Sequence, residues 1–300
     1  MGGTKMPARE SELPDTPLIE SGDAERTALI AAYPELAETI SSLDEHGYAI
    51  LDPKFDADDL DIAESFCGDA VNASGRIQDG WISEPAIGRL AVHQPILDIL
   101  NKLYGRRAFP FQTLNFEMGT QQTPHSDTFH FNSTPERFMC GVWVALEDIS
   151  SDAGPLIYYP GSHKLPILNR TELGGAQLYS DYEKHIQRLM EEHGLQPEYG
   201  LLKRGQALIW SANLIHGGSA RNKAELTRRS QVTHYYFEDC AYHTPLDYDL
   251  DQKTHFIRQP YDLSRRKHVL SQRKHLNEQL SLREIWAQRW HLWRQRPPRF

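Results

Sequence analysis

Cysteine is scarce in this 300-residue chain, with only Cys67, Cys140 and Cys240 and no CxxC pair. An odd number of isolated thiols supplies neither a disulfide framework nor a thiolate zinc site, and it fits a reducing cytoplasm. Long apolar runs are also missing. Nothing approaches the roughly 20 residues that cross a bilayer, and the opening MGGTKMPARESELPDTP has no apolar signal core, so neither a membrane span nor secretion is expected. Basic charge is lacking over most of the length. Residues 1–250 hold 20 Lys and Arg against 37 Asp and Glu, whereas residues 251–300 hold 12 against 4. An acidic body argues against nucleic acid as a partner, and its basic tail suits docking on that body or on a second copy. No internal repeat is visible.

What is present reads as one catalytic domain with appendages. Residues 1–22, with Pro7, Pro14 and Pro17, form a polar leader expected to be flexible. Leu29, Ile30, Leu36, Ile40 and Leu43 follow at helical spacing up to Gly47; GYAIL (47–51) is a short strand, and a second helix starts near Asp56–Asp59. From residue 108 the period becomes strand-like. FPFQTLNFEMG (109–119), FMCGVWVALEDI (138–149), PLIYYPG (155–161), two pieces within LLKRGQALIWSANLIHGG (201–218), and RRSQVTHYYFED (228–239) are separated by turn-rich segments. Many short strands behind a helical layer indicate a mainly β fold with helices (α+β), as a jelly-roll barrel. Between the strands, SDYEKHIQRLMEEHG (180–194) is one helix, with Ser180 and Glu183 as a capping box and Gly194 as its stop; an insertion here suits a lid or an outer surface helix. The expected division is a leader (1–22), a catalytic domain (23–250) and a basic helical extension (251–300).

The chemistry is concentrated in HSD (125–127) and LIHGG (214–218). In an extended segment residues i and i+2 share a side about 6.6 Å apart, so His125 and Asp127 can converge on one ion, with His216 completing a triangular face. Two neutral nitrogens and a carboxylate suit iron(II) with open coordination positions, and zinc can use the same ligand types. Alone, HxD is a weak signal among 14 histidines.

The wider pattern is more specific. TLNFEMGTQQTPHSDTFHF, VWVALEDISSDAGPLIYYPGSHKLP and KRGQALIWSANLIHGGSARN…TRRS resemble, in order and spacing, the phytanoyl-CoA dioxygenase family of iron(II)/2-oxoglutarate oxygenases over roughly residues 45–240. The resemblance implies a double-stranded β-helix (cupin-like) barrel, with His125, Asp127 and His216 as metal ligands. It implies Fe(II) as cofactor, 2-oxoglutarate and O2 as co-substrates with ascorbate supportive, and hydroxylation of a small-molecule substrate with release of succinate and CO2. Halogenation is disfavoured, because Asp127 fills the place that halogenating relatives leave free.

The same resemblance puts an arginine shortly after the distal histidine on the far carboxylate of 2-oxoglutarate, here Arg228 or Arg229. Adjacent strand residues face opposite sides, and Arg228 shares its face with Ser230, Val232 and His234, which selects Arg228. A guanidinium fork matches a carboxylate with two parallel bonds, as lysine cannot. Trp143 and Gln112 are candidates beside the co-substrate, and His130 for substrate contact. Gln112 and Asn115 cannot both face the pocket, given their odd separation. His163, His185, His193, His234 and His291 read as turn, surface or core residues. In the C-terminal arm, Leu282, Trp286, Trp290 and Trp293 make a helical stripe suited to docking on the barrel or to forming a homodimer, with membrane-surface binding as the other use. Two rival functions remain: a metal- and ligand-binding barrel without turnover, acting as a sensor or interaction module, and a zinc-dependent hydrolase or isomerase.

Overall fold

Apolar residues occupy consecutive positions along the central strands because the sheet they build is covered on both faces. A computed structural model describes residues 13–69, 75–168, 179–251 and 253–272, and the single positions 170, 173 and 276. Its elements run α1 (Asp23–Ala32), α2 (Ala37–His46), β1 (Tyr48–Leu51), α3 (Ala57–Asp69), β2 (Arg76–Gln78), α4 (Pro85–Ala91), α5 (Gln94–Tyr104) and β3 (Ala108–Phe116). They continue through β4 (Asn132–Thr134), β5 (Met139–Ala145), β6 (Leu156–Tyr158), α6 (Tyr179–Glu192), β7 (Glu198–Tyr199), β8 (Ala207–Ser211), β9 (His216–Gly218) and β10 (Ser230–Phe237). Last come β11 (Ala241–Asp249), β12 (Thr254–Ile257), β13 (Tyr261–Asp262) and β14 (Lys267–His268). The protein is mostly β with helices.

A six-stranded sheet in the order β1-β8-β5-β10-β3-β2, antiparallel throughout, carries the molecule, and a three-stranded sheet, β7-β6-β9, accompanies it. Alternation sorts the large sheet's side chains. Val142, Val144, Ala207 and Ile209 pack with helical residues such as Ile40, Leu43, Ala63 and Leu100. Trp143, Ala145, Leu208 and Trp210 point the other way and meet Leu156 and Tyr158 of the small sheet. The helices thus back one face and leave the other for the site. Helix α5 shows why the backing holds: Ile96, Leu97, Leu100 and Leu103 are buried at three- and four-residue spacing, each contributing about 1.5 to 3 kcal/mol. Pro95 opens that helix and Gly105, at φ 71°, closes it.

Three expectations change on folding. The N-terminal helical pattern is interrupted by a single 3-10 turn at Pro34–Leu36, since proline cannot continue α1. The described end of the leader is tied down, with Ile19 buried, Glu20 paired to Arg137 at 2.8 Å, and the Arg106 guanidinium donating to the Pro14 carbonyl. Beyond residue 250 the described chain is strand rather than helix. β12 pairs with β11 (Thr244 opposite Phe256), β13 with β14, and Gln272 N–H donates to the Cys240 carbonyl, so a hairpin crosses the expected boundary at 250. The stripe Leu282, Trp286, Trp290 and Trp293 lies outside the described residues. The helix expected at 180–194 is α6, followed by Gly194 at φ 59°. All three cysteines are buried and free. No helix among the described residues is long and apolar enough to cross a membrane.

Candidate metal centre

Two histidines 91 positions apart meet through their main chains: His125 N–H donates to the His216 carbonyl and His216 N–H to the His125 carbonyl, both at 2.9 Å. This isolated bridge sets the ring centroids 4.5 Å apart. It depends on the glycines of LIHGG. A Cβ on Gly217 would come within 2.7 Å of the Gln122 carbonyl oxygen, and one on Gly218 within 2.8 Å of the Gln121 nitrogen. Only glycine lets the 121–125 segment lie so close.

Asp127 follows in a short 3-10 turn, Asp127–Phe129, capped by the Ser126 hydroxyl. Tyr182 of α6 grips Ser126 from behind, its hydroxyl accepting from the Ser126 N–H at 2.7 Å. Ligand atoms of His125, Asp127 and His216 then all lie within 4.8 Å of one another. His125 Nε2 is 3.9 Å from Asp127 Oδ1, and His216 Nε2 is 3.8 Å from Oδ2.

Protonation favours a cation. Both rings face a backbone carbonyl through Nδ1 (Thr123 O and Leu214 O, each 3.0 Å), so Nδ1 carries the hydrogen and Nε2 presents its lone pair inward. Burial pushes His125 down to about 3, keeping it neutral at pH 7. Burial alone would raise Asp127, but the surrounding imidazoles and the Trp210 N–H outweigh it and hold the carboxyl down at about 2. Trp210 donates to Asp127 Oδ2 at 2.9 Å. It reaches across Gly141, its cross-strand partner, where a Cβ would lie only 2.1 Å from the indole.

The triad opens into a cavity of about 400 Å³ whose wall includes Gln112, Trp143, Arg228 and His130. Arg228 is the notable member. It is 3% exposed, its Nε has no partner, and no carboxylate pairs with it among the described residues; burial lowers its guanidinium to about 10. The rings of Phe116 and Trp143 flank it at 5.5 and 5.7 Å. Arg229 turns to the opposite face, towards Glu64 at 3.4 Å. Alternation likewise separates Gln112, on the cavity wall, from Asn115, which bonds Gln231 on the far side at 3.3 Å. His130 Nε2 lies 3.2 Å from the Tyr179 hydroxyl of α6. His163 lies in the turn Ser162–Lys164, with its Nε2 3.1 Å from the Asp44 carbonyl of α2.

One histidine departs from its expected role. His234 is not simple core: it lines the cavity, with Nδ1 3.1 Å from Gln112 Oε1 and Nε2 3.7 Å from Asp127 Oδ2. Its parity with Arg228 was the available signal. Trp210, Gln122 and Tyr179 also border the cavity without having been singled out. Trp210 and Gln122 lie in the quoted motifs, whereas nothing local marks Tyr179.

A family model described as "Phytanoyl-CoA dioxygenase (PhyH)" matches residues 37–230. A Caenorhabditis elegans protein, "Probable phytanoyl-CoA dioxygenase", is 26% identical over 202 residues, covering 61% of each chain. The "Ectoine dioxygenase" of Sphingopyxis alaskensis is 24% identical over 224 residues, 62% of this chain and 71% of that one. This chain spans less than two thirds of the worm protein and 45% of the bovine peroxisomal phytanoyl-CoA dioxygenase. Among solved structures, EctD from S. alaskensis with bound Fe superposes with TM-score 0.56 at 22% identity, over 78% of this chain and 85% of that one. The epimerase SnoN in complex with Fe3+ and alpha ketoglutarate gives 0.53 at 20% identity, over 75% and 92%. These structures share the fold, and the family match spans well over half of the sequence, so the chain belongs to the phytanoyl-CoA dioxygenase family.

Proposed function

We propose that the protein is an iron(II)- and 2-oxoglutarate-dependent dioxygenase that hydroxylates a small molecule. The observation that carries this reading is the buried guanidinium of Arg228, without an anionic partner among the described residues, in the same cavity as the His125–Asp127–His216 triad. A buried cation is retained where a ligand supplies its counter-charge, and a fork of N–H donors matches a carboxylate. The donor set fits as well: two imidazoles, that of His125 held neutral, and one ionised carboxylate, with ligand atoms within 4.8 Å of one another, suit a ferrous ion.

Bound there, iron(II) with 2-oxoglutarate and O2 would supply the oxidising power, releasing succinate and CO2 as substrate is hydroxylated. The chain's own part is placement and exclusion of water. His125, Asp127 and His216 would hold the metal; Thr123 O and Leu214 O orient the rings, and Trp210 orients the carboxylate. Arg228 would hold the distal carboxylate of 2-oxoglutarate, with Trp143 and Phe116 shielding it and Gln112 on the same wall. His130, anchored by Tyr179, would meet the substrate.

The proposed scaffold is a double-stranded β-helix running from residue 23 through the strands that end at His268, beyond the boundary first expected at 250. The basic segment with Trp286, Trp290 and Trp293 would dock on this body or pair two copies. Light scattering of the full chain and of a chain cut after residue 276 tests pairing, and liposome co-sedimentation of a monomer would point to a membrane surface instead. Three free thiols accord with a reducing compartment such as the cytoplasm. The function itself is tested by screening a substrate library for stimulated succinate release under iron, ascorbate and oxygen. Turnover that is independent of oxygen and inhibited by ferrous iron would overturn it.

A further inference from the structure

The carboxamide nitrogen of Gln122 lies 3.2 Å from His125 Nε2. The direction of this bond follows from the far side of the ring. Nδ1 sits 3.0 Å from the Thr123 carbonyl oxygen, which can only accept, so the ring hydrogen is on Nδ1 and Nε2 is left as an acceptor. Gln122 therefore donates into the very lone pair that a metal ion would use. At His216 the Nδ1 arrangement is the same, but among the described residues its Nε2 accepts no hydrogen bond.

Backbone and side chain of Gln122 differ in freedom. Its carbonyl accepts from the Gly218 N–H at 2.9 Å and abuts Gly217 closely enough to exclude a Cβ. The main chain is thus fixed against β9. The residue itself is exposed at the cavity rim, where its side chain can rotate without disturbing packing.

We propose that Gln122 is a positioning residue that caps His125 whenever no ion is bound: ion and amide compete for one lone pair, and metal entry turns the amide away from His125. This rests on the triad being a metal site. Once released, the carboxamide offers both a donor and an acceptor to ligands in the cavity shared by Asp127 and Arg228. A surface glutamine touching a histidine without consequence would leave metal affinity unchanged, and a glutamine that merely supports the loop would weaken it on removal. The cap alone requires removal to strengthen it.

Calorimetric titration of Mn2+ into the full-length protein measures this directly, without turnover. Gln122→Met keeps side-chain length and removes the donor, and Gln122→Ala serves if the methionine variant fails to fold. Loss of one competing hydrogen bond is expected to tighten Mn2+ binding roughly two- to tenfold. Unchanged or weaker binding, with Asp127→Ala still impaired, overturns the cap. Wild-type affinity in Asp127→Ala would instead overturn the metal site itself.

Discussion

Replacing Arg228 with methionine should make the ligand-free protein more stable and, at the same time, insensitive to 2-oxoglutarate. Burial alone depresses this guanidinium from 12.5 to about 10, which at 1.36 kcal/mol per unit is about 3 kcal/mol against the charged form. The sign is that of a buried cation: the folded pKa lies below the unfolded one, so the penalty is present in full at pH 7 and is relieved only as pH rises through 10. Stacking on Phe116 and Trp143 offsets about 1 kcal/mol of it. Methionine fills similar space without a charge and should therefore gain about 1 to 2 kcal/mol. In the Mn2+-loaded wild type, 2-oxoglutarate at a hundred times its Kd should add about 2.7 kcal/mol, whereas the variant should gain none. Urea unfolding of both, with and without 2-oxoglutarate, reads all four states. Arg229→Ala is the control: its partly exposed pair with Glu64 is worth less than about 1 kcal/mol, and its response to 2-oxoglutarate should stay intact. A destabilised Arg228→Met that still responds to 2-oxoglutarate, or an Arg229→Ala that does not, would refute the assignment.

Asp127→Ala should abolish coupled succinate formation and sharply lower iron affinity while the fold persists, since the lost Trp210 bond accounts for about 1 to 3 kcal/mol; wild-type succinate yield from that variant would sink the ligand assignment. Gly217→Ala should cost about 1 to 3 kcal/mol and weaken Mn2+ binding, because its Cβ would press the Gln122 carbonyl away from β9; equal urea midpoints and equal affinity would show that the close approach is dispensable. Acid should destabilise the metal-free protein from about pH 6.5 downward. Burial holds His125 and His243 near 3 and His163 and His234 near 4, so below 6.5 the unfolded chain binds protons that the folded one refuses. Each such ring contributes up to about 1.4 kcal/mol per pH unit, and urea midpoints that do not fall between pH 7.5 and 5.5 would contradict their burial as neutral groups.

The triad and the arginine were legible because the chemistry sits in short segments, HSD, LIHGG and TRRS, whose order carries the pattern. Parity along the sequence RRSQVTHYYFED, which leads into β10, assigns Arg228 and Arg229 to opposite faces from sequence alone. The same parity places His234 beside Arg228 but leaves open whether it is core or cavity wall, because alternation identifies a face and cannot say whether that face is packed or hollow. Trp210 needed the cross-strand register that sets it over Gly141, a relation invisible in a linear chain. The strands of 253–272 are not legible in the sequence for a different reason. They span two to four residues each, too short for a period to emerge, and their basic charge suggested a separate tail.

The main-chain bridge between His125 and His216 divides the labour of the cavity. The spacing of the triad is written into backbone bonds and two glycines, whereas the cavity lining also includes Gln78, His130 and Tyr179, which lie outside the triad. The side chains at those three positions can therefore be varied while His125, Asp127 and His216 keep their separation. One scaffold can in this way serve many substrates, and a library varied at 78, 130 and 179 is the natural starting point for redirecting this one.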